Sequence, residues 1–124
     1  MGKIDLSRVY DHEGRRATEK TYLVERLWPR GVRRDEVLLD GWLKDVAPST
    51  ELRKWFSHDP EKWQEFRRRY VAELDRQPET WQPLVEAAGS HDVTLLYSSR
   101  DREHNNAVVL REYLQTHMAK KGKG

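Results

Sequence analysis

The sequence predicts an α/β fold: one small domain with a short, mainly parallel central sheet of about three strands, packed by about five helices. Three observations predict it. Val93-Thr94-Leu95-Leu96-Tyr97 is a near-continuous apolar run, the pattern of a strand buried on both faces, and a polar turn and a helical stretch follow it. Of two earlier segments, one alternates apolar and polar residues as a half-buried strand does and the other is rich in β-formers. Between them and the apolar run, apolar residues recur at helical spacing. At 124 residues the chain has the length of one domain, and a chain of that size buries about two-thirds of its unfolded surface.

Ile4 to Tyr10 alternates and reads as the first strand, and a polar turn from Asp11 to Glu19 carries Gly14. Thr21 to Leu27 is rich in β-formers and is closed by Pro29 and Gly31, which makes it the second strand. From Glu36 to Val46, residues Val37, Leu38, Trp42, Leu43 and Val46 suggest a short or irregular helix that Pro48 stops. Ser49 or Thr50 can cap a helix through Leu52, Trp55 and Phe56. Asp59-Pro60-Glu61 combines a cap, a first-turn proline and an early acid, so a helix begins there and turns Trp63, Phe66, Tyr70, Val71 and Leu74 inward. Gln77-Pro78-Glu79 starts another, with Trp81, Leu84, Val85 and Ala88 inward and Gly89 as its stop. After the apolar strand, Ser98 to Asp101 breaks the chain. A last helix from about Arg102 to His117 buries Ala107, Leu110, Tyr113 and Leu114. The domain therefore spans 1–118, and 119–124, with three lysines, reads as a disordered basic tail.

Composition excludes several classes. Without cysteine there is no disulfide, thiol nucleophile, zinc–thiolate site or iron–sulfur ligation. No apolar run has signal-peptide or membrane-spanning length, which predicts a soluble, cytosolic protein without a membrane partner. The net charge of +2 is too balanced to mark a nucleic-acid binder. There is no Gly-x-Gly-x-x-Gly or phosphate-binding P-loop and no Gly-x-Ser-x-Gly elbow. No histidine pair has the spacing of a helical zinc site, so no metal is assigned. His12, His91 and His117 read as surface residues.

Several blocks resemble the YeaO-like family of bacterial proteins. They are Glu25-Arg26-Leu27-Trp28-Pro29-Arg30-Gly31, Trp42 to Ser49, Leu52 to Pro60, Phe66-Arg67-Arg68-Arg69-Tyr70, and Leu95 to Asn106. The match runs from about Asp5 to Leu114, with tryptophan-anchored blocks in order. The resemblance implies a small α/β domain, in agreement with the pattern of strands and helices, and brings no activity with it.

In parallel sheets, ligands bind beyond the carboxyl ends of the strands. That rule points to Trp28–Gly31 and Ser98–Asn106. Arg26 and Arg30 beside Trp28 suit an anion and a flat group; the competing reading makes Trp28 core and pairs the arginines with nearby acids. Ser98, Ser99, Arg100 and Asp101 stand at a helix start, where amides and the helix dipole favour an anion, although Ser99 or Asp101 can also serve as a plain cap. His104, three residues after Asp101 and beside Asn105, is a candidate for proton transfer with Asp101 or Asn105 orienting it. Capping is the competing role for Asp101, and His58 at a helix junction reads as a tie between helices.

Two functions are consistent with these residues. One is an anionic small-molecule site, binding or catalytic, with His104 and Asp101 as catalytic residues. Its ligand residues are Arg26, Trp28, Arg30, Ser98, Ser99, Arg100 and Asn105. The other is a nucleic-acid or protein-binding module built on Arg67-Arg68-Arg69 and the basic tail; the acids on that helix argue instead for an ion-paired solvent face. Cofactor, substrate and any approach of His58 to His104, as for haem or a metal, are left open, and five tryptophans suit either a rich core or a homodimer interface.

Overall fold

The computed structural model of the protein describes residues 2–12 and 19–122, with side chains through Met118. Four strands form one parallel sheet: β1 (Ile4–Arg8), β2 (Glu19–Leu23), β3 (Gly41–Trp42) and β4 (Asp92–Tyr97). Their order is β1-β4-β2-β3, so the last strand in the sequence lies inside the sheet. β4 pairs Val93 with Ile4 on one side and Leu96 with Leu23 on the other. Its interior position accounts for the apolar run from Val93 to Tyr97, since a strand flanked on both edges and covered on both faces favours apolar side chains.

Four α-helices agree closely with the expected ones: α1 (Thr50–Phe56), α2 (Trp63–Arg76), α3 (Pro78–Ala88) and α4 (Asn106–Gly122). Ser49 caps α1 by accepting the Leu52 amide at 3.1 Å, and Glu73 of α2 holds Ser49 in turn through its amide and hydroxyl. Asp59 accepts the Glu61 amide at 3.0 Å and opens a single 3₁₀ turn, Pro60–Lys62, that leads into α2. The inward faces of α2 and α3 are Trp63, Phe66, Tyr70 and Leu74, and Trp81, Leu84, Val85 and Ala88. With Ile4, Val93, Leu95 and Tyr97 of the sheet and Leu110 and Leu114 of α4, they form the main core.

A smaller apolar cluster occupies the other sheet face. Val9, Leu23 and Leu96 are buried there, covered by Trp28, Val32, Val37, Leu39 and Trp42. This cover comes from the long β2–β3 connection, which has no α-helix. It corrects the helix expected over Glu36–Val46. That segment has a 3₁₀ turn at Arg34–Glu36 and then extends, with Val37 and Leu39 packed inward and Leu38 65% exposed between them. The alternation has period two, and the Asp40 and Leu43 amides donate to the Thr21 and Leu23 carbonyls at 2.7 and 2.9 Å. Trp42 therefore stands on a fourth strand.

Other differences concern boundaries. β1 ends at Arg8 and β2 at Leu23, although the amides of Val9 and Val24 still donate to Tyr97 and Leu96. α4 starts at Asn106, four residues later than expected, and continues to Gly122. The polar turn's Gly14 lies outside the described residues, and the basic end expected over 119–124 falls beyond those with described side chains. Among the described residues, no helix is long and apolar enough to cross a membrane.

Candidate functional site

Because all four strands are parallel, their carboxyl ends share one rim, and a cleft of about 470 Å³ opens there. The segment leaving each strand contributes to its walls. Tyr10 comes after β1, Glu25 to Arg30 after β2, Ala47 and Pro48 after β3, and Ser98, Ser99 and His104 to Asn106 after β4. Arg53, Phe56 and His58 from α1 and its end, and Phe66 from α2, complete the lining. The volume lies within the usual range of small-molecule sites, roughly 300–1,000 Å³.

Side chains tie the walls together. Arg8 Nε donates to the Ser99 carbonyl at 3.0 Å, and Asn106 Nδ2 donates to the Val24 carbonyl at 2.7 Å. Tyr10 donates through its hydroxyl to the Arg30 carbonyl at 2.7 Å. Arg26 donates from Nε to Pro48 and from Nη2 to Ala47, at 2.9 and 3.1 Å. These bonds tie the loops of the rim to one another.

The two segments singled out in the sequence meet across this cleft. Arg26, Trp28, Arg30, Ser98, Ser99, His104 and Asn105 line it, whereas Arg100 and Asp101 do not. Arg26 gives two of its donors to the Ala47–Pro48 loop, and its Nη1 lies 4.0 Å from Asp45. Trp28 donates from Nε1 to the Val32 carbonyl at 2.6 Å, and its ring meets Trp42 edge-on and lies beneath Arg34. Asn105, rather than Ser99 or Asp101, caps α4: its Oδ1 accepts the Val108 amide at 3.1 Å. His104 consequently stands before the helix rather than in its first turn. Asp101 organises the approach to it, accepting the Glu103 and His104 amides at 2.9 and 2.8 Å and contacting His104 Nδ1 at 3.0 Å. Burial pushes the Asp101 carboxyl up, but these donors outweigh it and leave it below its ordinary value. The His104 ring packs edge-on against Trp63, with centroids 5.1 Å apart.

His58 and His104 line the same cleft. Ser57 and His58 both adopt the left-handed conformation, with φ of 47° and 57°, which costs of order 1 kcal/mol for each non-glycine residue. Among the described residues, no group of three or more His, Asp or Glu side chains could hold a metal ion.

Two further residues complete the electrostatics of the cleft. Glu25 accepts the Ser98 amide on Oε1 at 3.3 Å. Burial pushes its carboxyl up to about 7, against the opposing pull of that amide and of Arg53. Neither Arg30 nor Arg53 has a carboxylate in ion-pair contact among the described residues. Glu25 and Arg53 stand within the blocks that carry the family resemblance, but an acid after a strand and an arginine on a short helix look like ordinary surface residues. In the sequence Glu25 falls inside the expected second strand, and only the earlier end of β2, at Leu23, puts it beyond the strand.

The arginine run of α2 is engaged elsewhere. Arg67 pairs with Glu112 of α4, and Arg68 and Arg69 both bond to Glu65, with Nε distances of 2.9 and 2.8 Å. Arg68, and after it Arg69, hold the Glu65 carboxyl down to about 2. The Arg69 guanidinium also covers the Trp55 ring at 4.2 Å.

Over residues 3–124 the chain matches the family described as the inactive DUF488-N3 subclade. It is 38% identical over 113 residues to the uncharacterized protein YeaO of Escherichia coli strain K12, covering 91% of this chain and 97% of that protein. It is 36% identical over 116 residues to the uncharacterized protein Rv3073c of Mycobacterium tuberculosis strain H37Rv, covering 90% and 93%. The uncharacterized protein Mb3100c of Mycobacterium bovis matches to the same extent. No solved structure matches.

Proposed function

Since the chain belongs to the inactive DUF488-N3 subclade, together with the YeaO-like proteins, we propose that its cleft binds an anionic small molecule without turning it over. The observation that carries this reading is the pairing of two guanidiniums that have no ion-paired carboxylate among the described residues, Arg30 and Arg53, with a concave site of about 470 Å³ at the carboxyl ends of the strands. Arginine's planar fork matches the geometry of carboxylate and phosphate oxygens. Arg53 takes the anion-holding place that the sequence suggests for Arg26, because Arg26 is occupied with the carbonyls of Ala47 and Pro48. Ser98, Ser99 and His104 supply hydrogen-bonding groups around the ligand, and Phe56 and Phe66 supply apolar surface. Trp28, Asp101 and Asn105 support the walls.

Catalysis is the second reading, and the Asp101–His104 pair favours it. A carboxylate 3.0 Å from Nδ1 orients the ring and leaves Nε2 as the nitrogen for proton transfer. The subclade's description as inactive weighs against this.

A thermal-shift screen against anionic metabolites, run on the parent, Arg30→Ala and Arg53→Ala, tests the proposal. A ligand at ~100 times its dissociation constant stabilises the fold by about 2.7 kcal/mol, a shift of several degrees in a domain of this size. The expected hit is lost in both variants and is recovered chemically unchanged. A hit recovered as product would establish the catalytic reading instead. If a broad panel yields no hit, or only hits indifferent to both substitutions, the small-molecule site is wrong.

A further inference from the structure

Glu25 stands two residues beyond the carboxyl end of β2, in one wall of the cleft. Its Oε1 accepts the Ser98 amide at 3.3 Å, which ties it to the end of β4. Its Oε2 has no hydrogen-bond or ion-pair partner among the described residues, although the Arg53 charge reaches the carboxyl from α1. An acid so placed affects any anion that enters. Ionised, it repels the ligand and competes for Arg53; protonated, it adds a donor to the same space.

On the reading that the cleft takes an anion, we propose that Glu25 determines its specificity by binding an oxyanion together with one proton. Oε2 presents that proton to a ligand oxygen, and Arg30 and Arg53 neutralise the remaining charge. The carboxyl is pushed up to about 7, chiefly by burial, so the proton is in place on the acid side of neutrality. The titratable and charged groups that line the cleft with it are Tyr10 after β1, Arg53 and His58 from α1 and its end, His104 after β4, and Arg26 and Arg30 along its own segment, while Tyr70 of α2 feels its charge. The arginines keep their charge throughout this range. The Tyr70 hydroxyl is driven well above its ordinary value by burial and stays neutral. Histidines as a class change charge over the same range as Glu25, so a substitution of the acid, and not pH alone, is the test.

Sulfate is the probe, because it remains dianionic through neutrality. Calorimetric titrations at about pH 6 and about pH 8 compare the parent with Glu25→Gln and Arg53→Ala. The parent's affinity should fall about tenfold between the two, the loss set by a carboxyl that must be protonated to bind. In Glu25→Gln the fall should shrink to about twofold or less, because the amide keeps a donor at every pH. Near pH 8 the parent should also take up close to one proton per sulfate, read from the dependence of the heat on the buffer. If Glu25→Gln fails to fold, the same uptake measured in His58→Gln and His104→Gln decides the matter: it should persist in both, and its loss in either overturns the role of Glu25. Equal falls in parent and Glu25→Gln, with binding still abolished in Arg53→Ala, overturn the role of Glu25 and leave the anion site standing. Absence of Arg53-dependent sulfate binding at both pH values overturns the anion site and this proposal with it.

Discussion

At the scale of single residues, the carboxyl of Glu25 makes folding itself depend on pH. Burial raises it from an ordinary 4.5 to about 7. Between those values the folded chain holds a proton that the unfolded chain releases, so this group's contribution to stability is fullest below about pH 4.5 and declines as pH rises towards 7. The decline attributable to this group is about 3 kcal/mol. Glu25→Gln should remove it. In urea titrations the variant should match the parent near pH 4.5 and exceed it by up to about 3 kcal/mol at pH 8. A variant that tracked the parent at every pH would show a well-solvated carboxyl. His58 shows a different residue-scale cost. Its left-handed backbone, next to that of Ser57, sets an imidazole at the rim of the cleft at the end of a seven-residue helix.

At the scale of elements, α2 is anchored by a bond that its apolar pattern does not reveal. Tyr70, fully buried in the middle of the helix, donates to the Val46 carbonyl at 2.5 Å, and Glu73 one turn later holds Ser49. Tyr70→Phe should cost about 1–2 kcal/mol, because it leaves a buried carbonyl unpaired while keeping the ring in place. A chemical-denaturation midpoint unchanged from the parent would mean that the carbonyl finds another donor. The apolar periodicity that marked α2, α3 and β4 was legible because each buries a full face; the residues named for those faces are buried, except Val71, which is only partly so. β3 was not legible. It is two residues long, and its flanking cover, Val37 and Leu39, alternates too briefly to be told from an irregular helix. The start of α4 was misplaced for a related reason. Asp101 carries every mark of a cap and does bind two amides, but Asn105 closes the helix. In the cleft, the loops could be located from the rule for parallel sheets. That Arg26 is bonded to the Ala47 and Pro48 carbonyls could not be foreseen, since it depends on where the loop after β3 runs.

At the scale of the whole molecule, the two sheet faces are covered unequally: one by helices, the other by the β2–β3 connection with Trp28 and Trp42. β4 lies between these layers and between two neighbouring strands, with Val93, Leu95 and Leu96 fully buried. Its amides should be the slowest to exchange with solvent, opening only with global unfolding, whereas those of the β2–β3 connection should exchange by local opening. Exchange followed by NMR, residue by residue, checks this; protection in the connection equal to that in β4 would contradict it. The position of β4 also has a bearing on how the protein is made. β1 and β2 leave the ribosome early, yet they are not partners; each bonds to a strand made long after both, Ile4 to Val93 and Leu23 to Leu96. Until then the pairing open to β2 is with two residues of β3, and an isolated two-stranded pair is marginal in water. Contacts so distant in sequence slow the search for the native state. During synthesis the first two strands must therefore wait, unpaired with each other, and the sheet closes from its middle outward once residues 92–97 arrive.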